Sequence, residues 1–251
     1  MQEAQEARRR EAALERERKA ALMQHLFTHG TRGELRKVTE IGEMPESWRV
    51  ARLGKLITEG PQNGLYKPAS FYGGGTPILR IDAFDNGDII ARQELKRLQL
   101  SEEELHRYSL NSEDIVMNRV NGNPDILGKC ALVGELAEAT VFESNMIRFA
   151  VDREVIRSTY LLYFLYSSFG RQQIKKRARI THQTSINQQD IDSIEITLPK
   201  LAEQQEIASV LCACDDKIDA LEREAAALEE AFRALLEELM TGRARAIGDE
   251  M

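Results

Sequence analysis

The amino-acid sequence predicts an α+β fold: one globular mixed α/β domain flanked by long helices that form an antiparallel coiled coil. Three observations lead there. A heptad stripe runs through the C-terminal part, a stretch rich in Ala, Glu and Arg opens the chain, and short strand-like runs between them are separated by turn signals.

The stripe is the strongest of the three. Ile207, Leu211, Cys214, Ile218, Leu221, Ala225, Leu228, Phe232, Leu235 and Leu239 lie alternately four and three apart, with no Gly or Pro before Gly242. That spacing is the a/d seam of a left-handed coiled coil, and a seam so narrow buries its face only against another helix. From Ile207 to Leu239 the rise of ~1.5 Å per residue makes a rod of about 48 Å.

Residues 2–27 are helical on propensity alone, and Gly30 after Thr28 and His29 marks the stop. The end of this helix, Leu22–Thr28, is echoed by Leu235–Thr241 at the other end of the chain. Arg8, Arg9, Arg10, Arg16, Arg18 and Lys19 are placed to face Glu222, Glu224, Glu229, Glu230 and Glu237 if the two helices run antiparallel. Such surface pairs contribute ~0.5 kcal/mol each, enough to choose a partner and register. His25 and His29 have a metal-compatible spacing, but nothing nearby completes a ligand set, and no metal is expected.

The organisation read from these signals is a helix over 1–30, a linker over 31–47, a globular domain over 48–200, a coiled-coil helix over 201–242 and a disordered tail over 243–251. In the globular domain, strands are expected at Ile78–Ile81, Asp88–Ala91, Asp114–Met117, Cys130–Val133, Met146–Val151 and Ser193–Leu198. Helices are expected at Ser101–Tyr108, with Ser101 and Glu104 as a capping box, and at Thr159–Ala178.

Composition narrows the function. The chain carries 34 basic and 41 acidic residues, and the acidic excess sits almost wholly beyond residue 200. A near-neutral middle is compatible with nucleic-acid binding, which depends on clustering rather than on the sum. Three cysteines, Cys130, Cys212 and Cys214, make no even framework and suit a reducing cytoplasm. No apolar run of about 18 residues and no signal-peptide pattern is present, so no membrane association is expected.

Catalytic motifs are missing. The glycines of Phe71–Pro77 lack the Lys-Ser/Thr of a phosphate loop, and no G-x-G-x-x-G opens a helix. Asn123-Pro124-Asp125-Ile126 is only superficially like the Asn-Pro-Pro-aromatic motif of adenine methyltransferases. Binding is better supported. Lys175, Lys176 and Arg179 precede His182 and Gln183, and similar hydrogen-bonding side chains occur at Asn63, Tyr66 and Lys67 and at Arg119, Asn121 and Asn123. Basic groups neutralise phosphates, while amide, imidazole and guanidinium groups on loops can read base edges.

Ser185-Ile186-Asn187-Gln188-Gln189-Asp190-Ile191, then Ile194–Pro199, then Leu201-Ala202-Glu203-Gln204-Gln205-Glu206-Ile207 form a signature that resembles the specificity (S) subunit of type I restriction–modification systems. Trp48–Gly54, Gly75–Arg80, Leu110–Val116 with Arg119, and Phe142–Asn145 match more loosely. The resemblance spans about 45–245. It implies a non-catalytic subunit whose target-recognition domain reads a short site on double-stranded DNA, with Arg80 joining the loop residues above as DNA-binding candidates. It also implies helices that dock methyltransferase subunits, with restriction subunits as further partners. The chain would hold no cofactor, S-adenosylmethionine being bound by the methyltransferase partner. A whole S subunit has two recognition domains and two conserved helical regions, so this chain looks like the second half of one. Two copies pairing through the Ile207–Leu239 seam would make a twofold homodimer reading an inverted repeat. A single chain folded into a helical hairpin is the alternative arrangement. The rival functions are a coiled-coil adaptor for proteins and a self-sufficient DNA methyltransferase.

Overall fold

The structure, a computed structural model, describes residues 2–81, 95–123, 126–180 and 184–240. It divides into two units, one formed by the chain up to Met23 and from Ser209 onward, the other by Gln24–Ala208.

The first unit is helical. It takes most of α1 (Gln2–His29) and most of α6 (Leu201–Met240). Arg8 pairs with Glu224 at 2.8 Å, Arg9 with Glu229 at 2.8 Å, and Arg16 with Glu222, while Lys19 meets Asp215 and Glu15 meets Lys217. Partners rise along one helix as they fall along the other, so the helices run antiparallel within one chain, as the hairpin reading expects. On α6 the seam is buried at Leu211, Ile218, Leu221 and Ala225 and half-buried at Cys214, Leu228 and Phe232. Further on, Leu235 is 42% and Leu239 47% exposed. The facing side of α1 is small or polar, with Ala12 and Glu15 buried, so the apolar seam is one-sided and the ion pairs set the register.

In the second unit the first strands are β1 (Arg36–Thr39), β2 (Gly42–Pro45), β3 (Arg49–Arg52), β4 (Ile57–Asn63) and β5 (Tyr72–Leu79). Then follow β6 (Lys96–Leu98), α2 (Glu102–Tyr108), β7 (Ile115–Asn118), β8 (Val120–Asn121), β9 (Cys130–Leu132), β10 (Val141–Phe142) and β11 (Met146–Val151). The last elements before α6 are α3 (Ser158–Tyr166), α4 (Ser168–Arg177), β12 (Arg179–Ile180), β13 (Thr184–Ser185), α5 (Gln188–Asp192) and β14 (Glu195–Leu198). The central sheet is antiparallel in the order β4-β11-β7-β9, and β10-β5-β6 packs beside it around Leu79, Val116, Phe142 and Met146. Strand β11 is buried along nearly its whole length, so it is apolar on both faces except at the buried Arg148.

Two local expectations change. The stretch 31–47, expected as a linker, contains the β1–β2 hairpin, in register from Arg36 opposite Pro45 to Thr39 opposite Gly42. The helix expected over Thr159–Ala178 is two, broken at Ser167. There the backbone is extended, the Ser167 hydroxyl donates to the Phe164 carbonyl at 2.6 Å, and it accepts from Gly170 N–H at 3.3 Å as the cap of α4. The strand expected at Asp88–Ala91 and the tail 243–251 lie outside the described residues. The Ser101–Glu104 capping box is present.

The motif Glu203-Gln204 acts as a clasp. Glu203 accepts from Thr31 N–H at 2.9 Å and from the indole N–H of the fully buried Trp48 at 3.1 Å. Gln204, also fully buried, accepts from Arg157 N–H at 2.8 Å and donates to the carbonyls of Val155 at 3.0 Å and Pro199 at 2.9 Å. Gly30, at φ 63°, completes the clasp, since a Cβ there would lie 2.6 Å from Glu203 Oε1. The first turn of α6 thus ties together the end of α1, the domain opening and the start of α3.

Glu113 sits at φ 72° in the turn before β7. Left-handed backbone is unfavourable for a residue with a Cβ. Glu113→Gly is therefore expected to raise unfolding free energy by about 0.5–1 kcal/mol, the relief of strain outweighing glycine's extra unfolded-state entropy. Urea denaturation checks it, and a lower midpoint would show that no strain is relieved.

Candidate nucleic-acid interface

Backbone hydrogen bonds lace together the three loops picked out from sequence. Gly64 N–H donates to the Met146 carbonyl at 3.1 Å, Leu65 N–H to Phe142 at 2.9 Å, and Ser144 N–H back to Leu65 at 2.9 Å. Arg119 N–H donates to the Asn145 carbonyl at 2.9 Å, and the Arg119 carbonyl accepts from Ile186 N–H at 2.9 Å. Strand β8 then pairs with β13, Asn121 opposite Thr184, and β13 pairs with β12, Arg179 opposite Ser185. The 62–67 and 119–123 segments and residues 179–180 and 184–186 therefore converge, with the 143–145 turn as a fourth piece.

Each candidate residue has a definite place. Asn63 is exposed at the end of β4, and Tyr66 is 78% exposed. Lys67 is half-buried, its ammonium 2.6 Å from Glu104 and 4.5 Å from the Phe71 ring centre. That pairing is the main reason the Glu104 carboxyl is held below its usual range. Asn121 accepts from Asn123 N–H at 2.8 Å, which closes the tip of its loop. Lys175 and Lys176 are exposed on the last turn of α4, and Arg179 lies 3.8 Å from Asp190. Arg177, by contrast, is consumed by the fold, donating to Ser193 Oγ at 2.6 Å and to its carbonyl at 2.7 Å. His182 and Gln183 lie outside the described residues.

Arg119 is half-buried. Its Nη1 donates to the Ser144 carbonyl at 3.0 Å, its Nε has no hydrogen-bond partner among the described residues, and burial lowers its pKa. The amide of buried Asn118 beside it likewise has no partner among them.

Leu65, Tyr66, Lys67, Tyr72, Arg80 and Glu143 are among the residues lining a cleft of about 420 Å³. Arg80 Nη1 lies 3.3 Å from the Tyr72 hydroxyl, its guanidinium carbon 5.6 Å from the Tyr72 ring centre, and its Nε 3.9 Å from Glu143 Oε2. The other Glu143 oxygen accepts from Ile81 N–H at 2.6 Å. No set of three potential metal-ligating side chains is grouped among the described residues. Cys130 is buried, its thiol pushed up to about 12 by desolvation, so it is no nucleophile. Among the described residues no helix is long and apolar enough to cross a membrane.

Mixed strands, laced loops and paired long helices define a binding module, and comparison with known proteins places it. Residues 45–230 match the type I restriction modification DNA specificity domain, and the chain belongs to that family. It is 31% identical over 207 residues to the putative type I restriction enzyme MjaX specificity subunit of Methanocaldococcus jannaschii, covering 82% of this chain and 48% of the relative. To the MjaVIII specificity subunit of the same organism it is 30% identical over 235 residues, 90% of this chain and 53% of the relative. The chain thus spans about half the length of these relatives. The crystal structure of the HsdS subunit from Thermoanaerobacter tengcongensis shares the fold, with a TM-score of 0.56 at 19% identity over 94% of this chain and 53% of that one.

Proposed function

We propose that the chain is a half-length DNA-specificity subunit of a type I restriction–modification system, cytoplasmic and without a catalytic step of its own. The observation that carries this reading is the lacing of three loops bearing amide and basic side chains on a domain of the DNA specificity family. Asn63, Tyr66, Asn121 and Asn123, with His182 and Gln183, contact bases, and Lys67 and Arg80 flank them. Lys175, Lys176 and Arg179 hold phosphate, and Arg119 acts from below by keeping the loops together. The paired helices dock methyltransferase subunits, which bind S-adenosylmethionine, and restriction subunits join them. Phe232, Leu235 and Leu239 are the part of the seam left for a second copy, since the earlier part is already buried. A dimer made there reads an inverted repeat.

The test is binding of labelled duplexes by the full chain across a salt series. Lys175→Ala/Lys176→Ala should weaken affinity for every duplex and reduce the salt slope by about two, near one per phosphate lost. Light scattering of the complex should give two chains per duplex. A wild-type chain that retains no duplex at low salt rejects DNA reading in favour of a protein adaptor, and an unchanged slope rejects the phosphate assignment.

A further inference from the structure

We infer that Arg119 holds a phosphate of the DNA backbone, received between the 119–123 loop and the 143–145 turn. The inference rests on the DNA-reading proposal above and gives one of its positioning residues a ligand of its own.

What Arg119 lacks is a counter-ion. Its guanidinium is half-buried, and its one side-chain hydrogen bond among the described residues goes from Nη1 to the neutral Ser144 carbonyl at 3.0 Å. Nε is enclosed without a partner there, while Nη2, equally without one, is not enclosed. The side chains around it do not neutralise the charge. Asn118, next in the chain, is an amide. Glu143 accepts from Ile81 N–H at 2.6 Å and lies 3.9 Å from Arg80 Nε. Asp190 accepts from Asn187 N–H at 3.0 Å and lies 3.8 Å from Arg179. Burial accordingly lowers the Arg119 pKa with no carboxylate acting the other way.

Taking a cation partly out of water without an anion beside it is costly, and an arriving anion recovers that cost. A base edge is neutral and would leave the guanidinium uncompensated, whereas a phosphate oxygen accepts from Nη2 and supplies the missing charge. The Ser144–Asn145 turn, which accepts from both the Arg119 side chain and its N–H, also lines the cleft that holds Lys67, Arg80 and Lys96. These three cations outnumber Glu143 among the residues lining that cleft, so the potential beyond the turn favours an anion too.

The experiment is binding of labelled duplexes by the full chain across a salt series, for wild type, R119Q and R119K. R119Q should weaken random and site-containing duplexes alike, by about 10-fold at ~0.1 M salt, and lower the salt slope by about one. R119K keeps the charge and should hold the slope. The inference is overturned if R119Q keeps the wild-type slope, or if its loss is confined to one sequence, as for a base reader. It is overturned as well if R119K loses as much slope as R119Q, which marks a strut between loops. An unchanged slope in R119Q with loss of a methyltransferase partner overturns it in favour of a protein carboxylate. A wild-type chain that binds no duplex at low salt overturns the DNA-reading proposal itself, a distinct outcome.

Discussion

Asp114→Ala is expected to be about 3–5 kcal/mol less stable than the wild type, because it strands Arg148 inside the central sheet. Arg148 lies in the middle of β11 and is 7% exposed, and Asp114, 1% exposed, stands just before β7. Their nitrogen and oxygen atoms are 3.0 and 3.3 Å apart, while Glu59 reaches Arg148 from β4 at 3.2 Å. Asp114 also accepts from Asn111 N–H at 2.8 Å. Glu59 is largely solvated and offsets only part of the loss. Asp114→Asn should be milder, since an amide still accepts from Asn111.

The pH dependence separates charge from packing. Burial raises the Asp114 carboxyl above its ordinary value, despite the Asn111 and Arg148 contacts that act the other way. A carboxyl with a raised folded-state pKa contributes stability that is complete below its unfolded value and lost as pH rises through the folded value. The stability of wild type relative to Asp114→Asn should therefore fall as pH rises above the ordinary carboxyl range. Guanidinium titrations at several pH values measure it, and a difference that grows with pH would show that Arg148 dominates.

Gln204→Ala should be nearly as damaging. It would leave one N–H and two carbonyls without these partners, at ~1–3 kcal/mol for a buried group; the Arg157 and Val155 bonds are part-buried and regain some water, so about 3–5 kcal/mol is lost in all. Gln204→Glu should fare no better despite equal size, because a carboxylate cannot donate to Val155 and Pro199. Urea midpoints on the full chain test both. Wild-type stability in Gln204→Glu would show that shape, rather than the donor pair, matters at this position. The result bears on function, since Gln204 and Glu203 together hold the junction of α1, α3 and α6.

Local features were legible in the chain itself. The a/d spacing from Ile207, the Ser101–Glu104 cap and the stop at Gly30 have causes within a few residues of where they act. The charge pattern of α1 against α6 also announced an antiparallel partner, though Asp215 and Lys217 were not among the partners it suggested. Misreadings arose where non-local contacts outweigh local preference. A polar stretch with Gly33, Gly42 and Pro45 reads as a linker, yet its two halves pair with each other. The helix expected through Ser167 breaks because that hydroxyl caps the next helix.

The candidate interface divides in the same way. Sequence alone determined which loops carried amides and basic groups, and that a heptad helix followed them. Only the tertiary structure decided that those loops meet, that Arg119 turns inward to Ser144, and that Glu143 stands beside Arg80. Residue type and spacing set what a segment can do, because propensity and periodicity are local. Which groups lie within hydrogen-bond reach is set by strand pairing between residues far apart in the chain, and no local pattern encodes that distance.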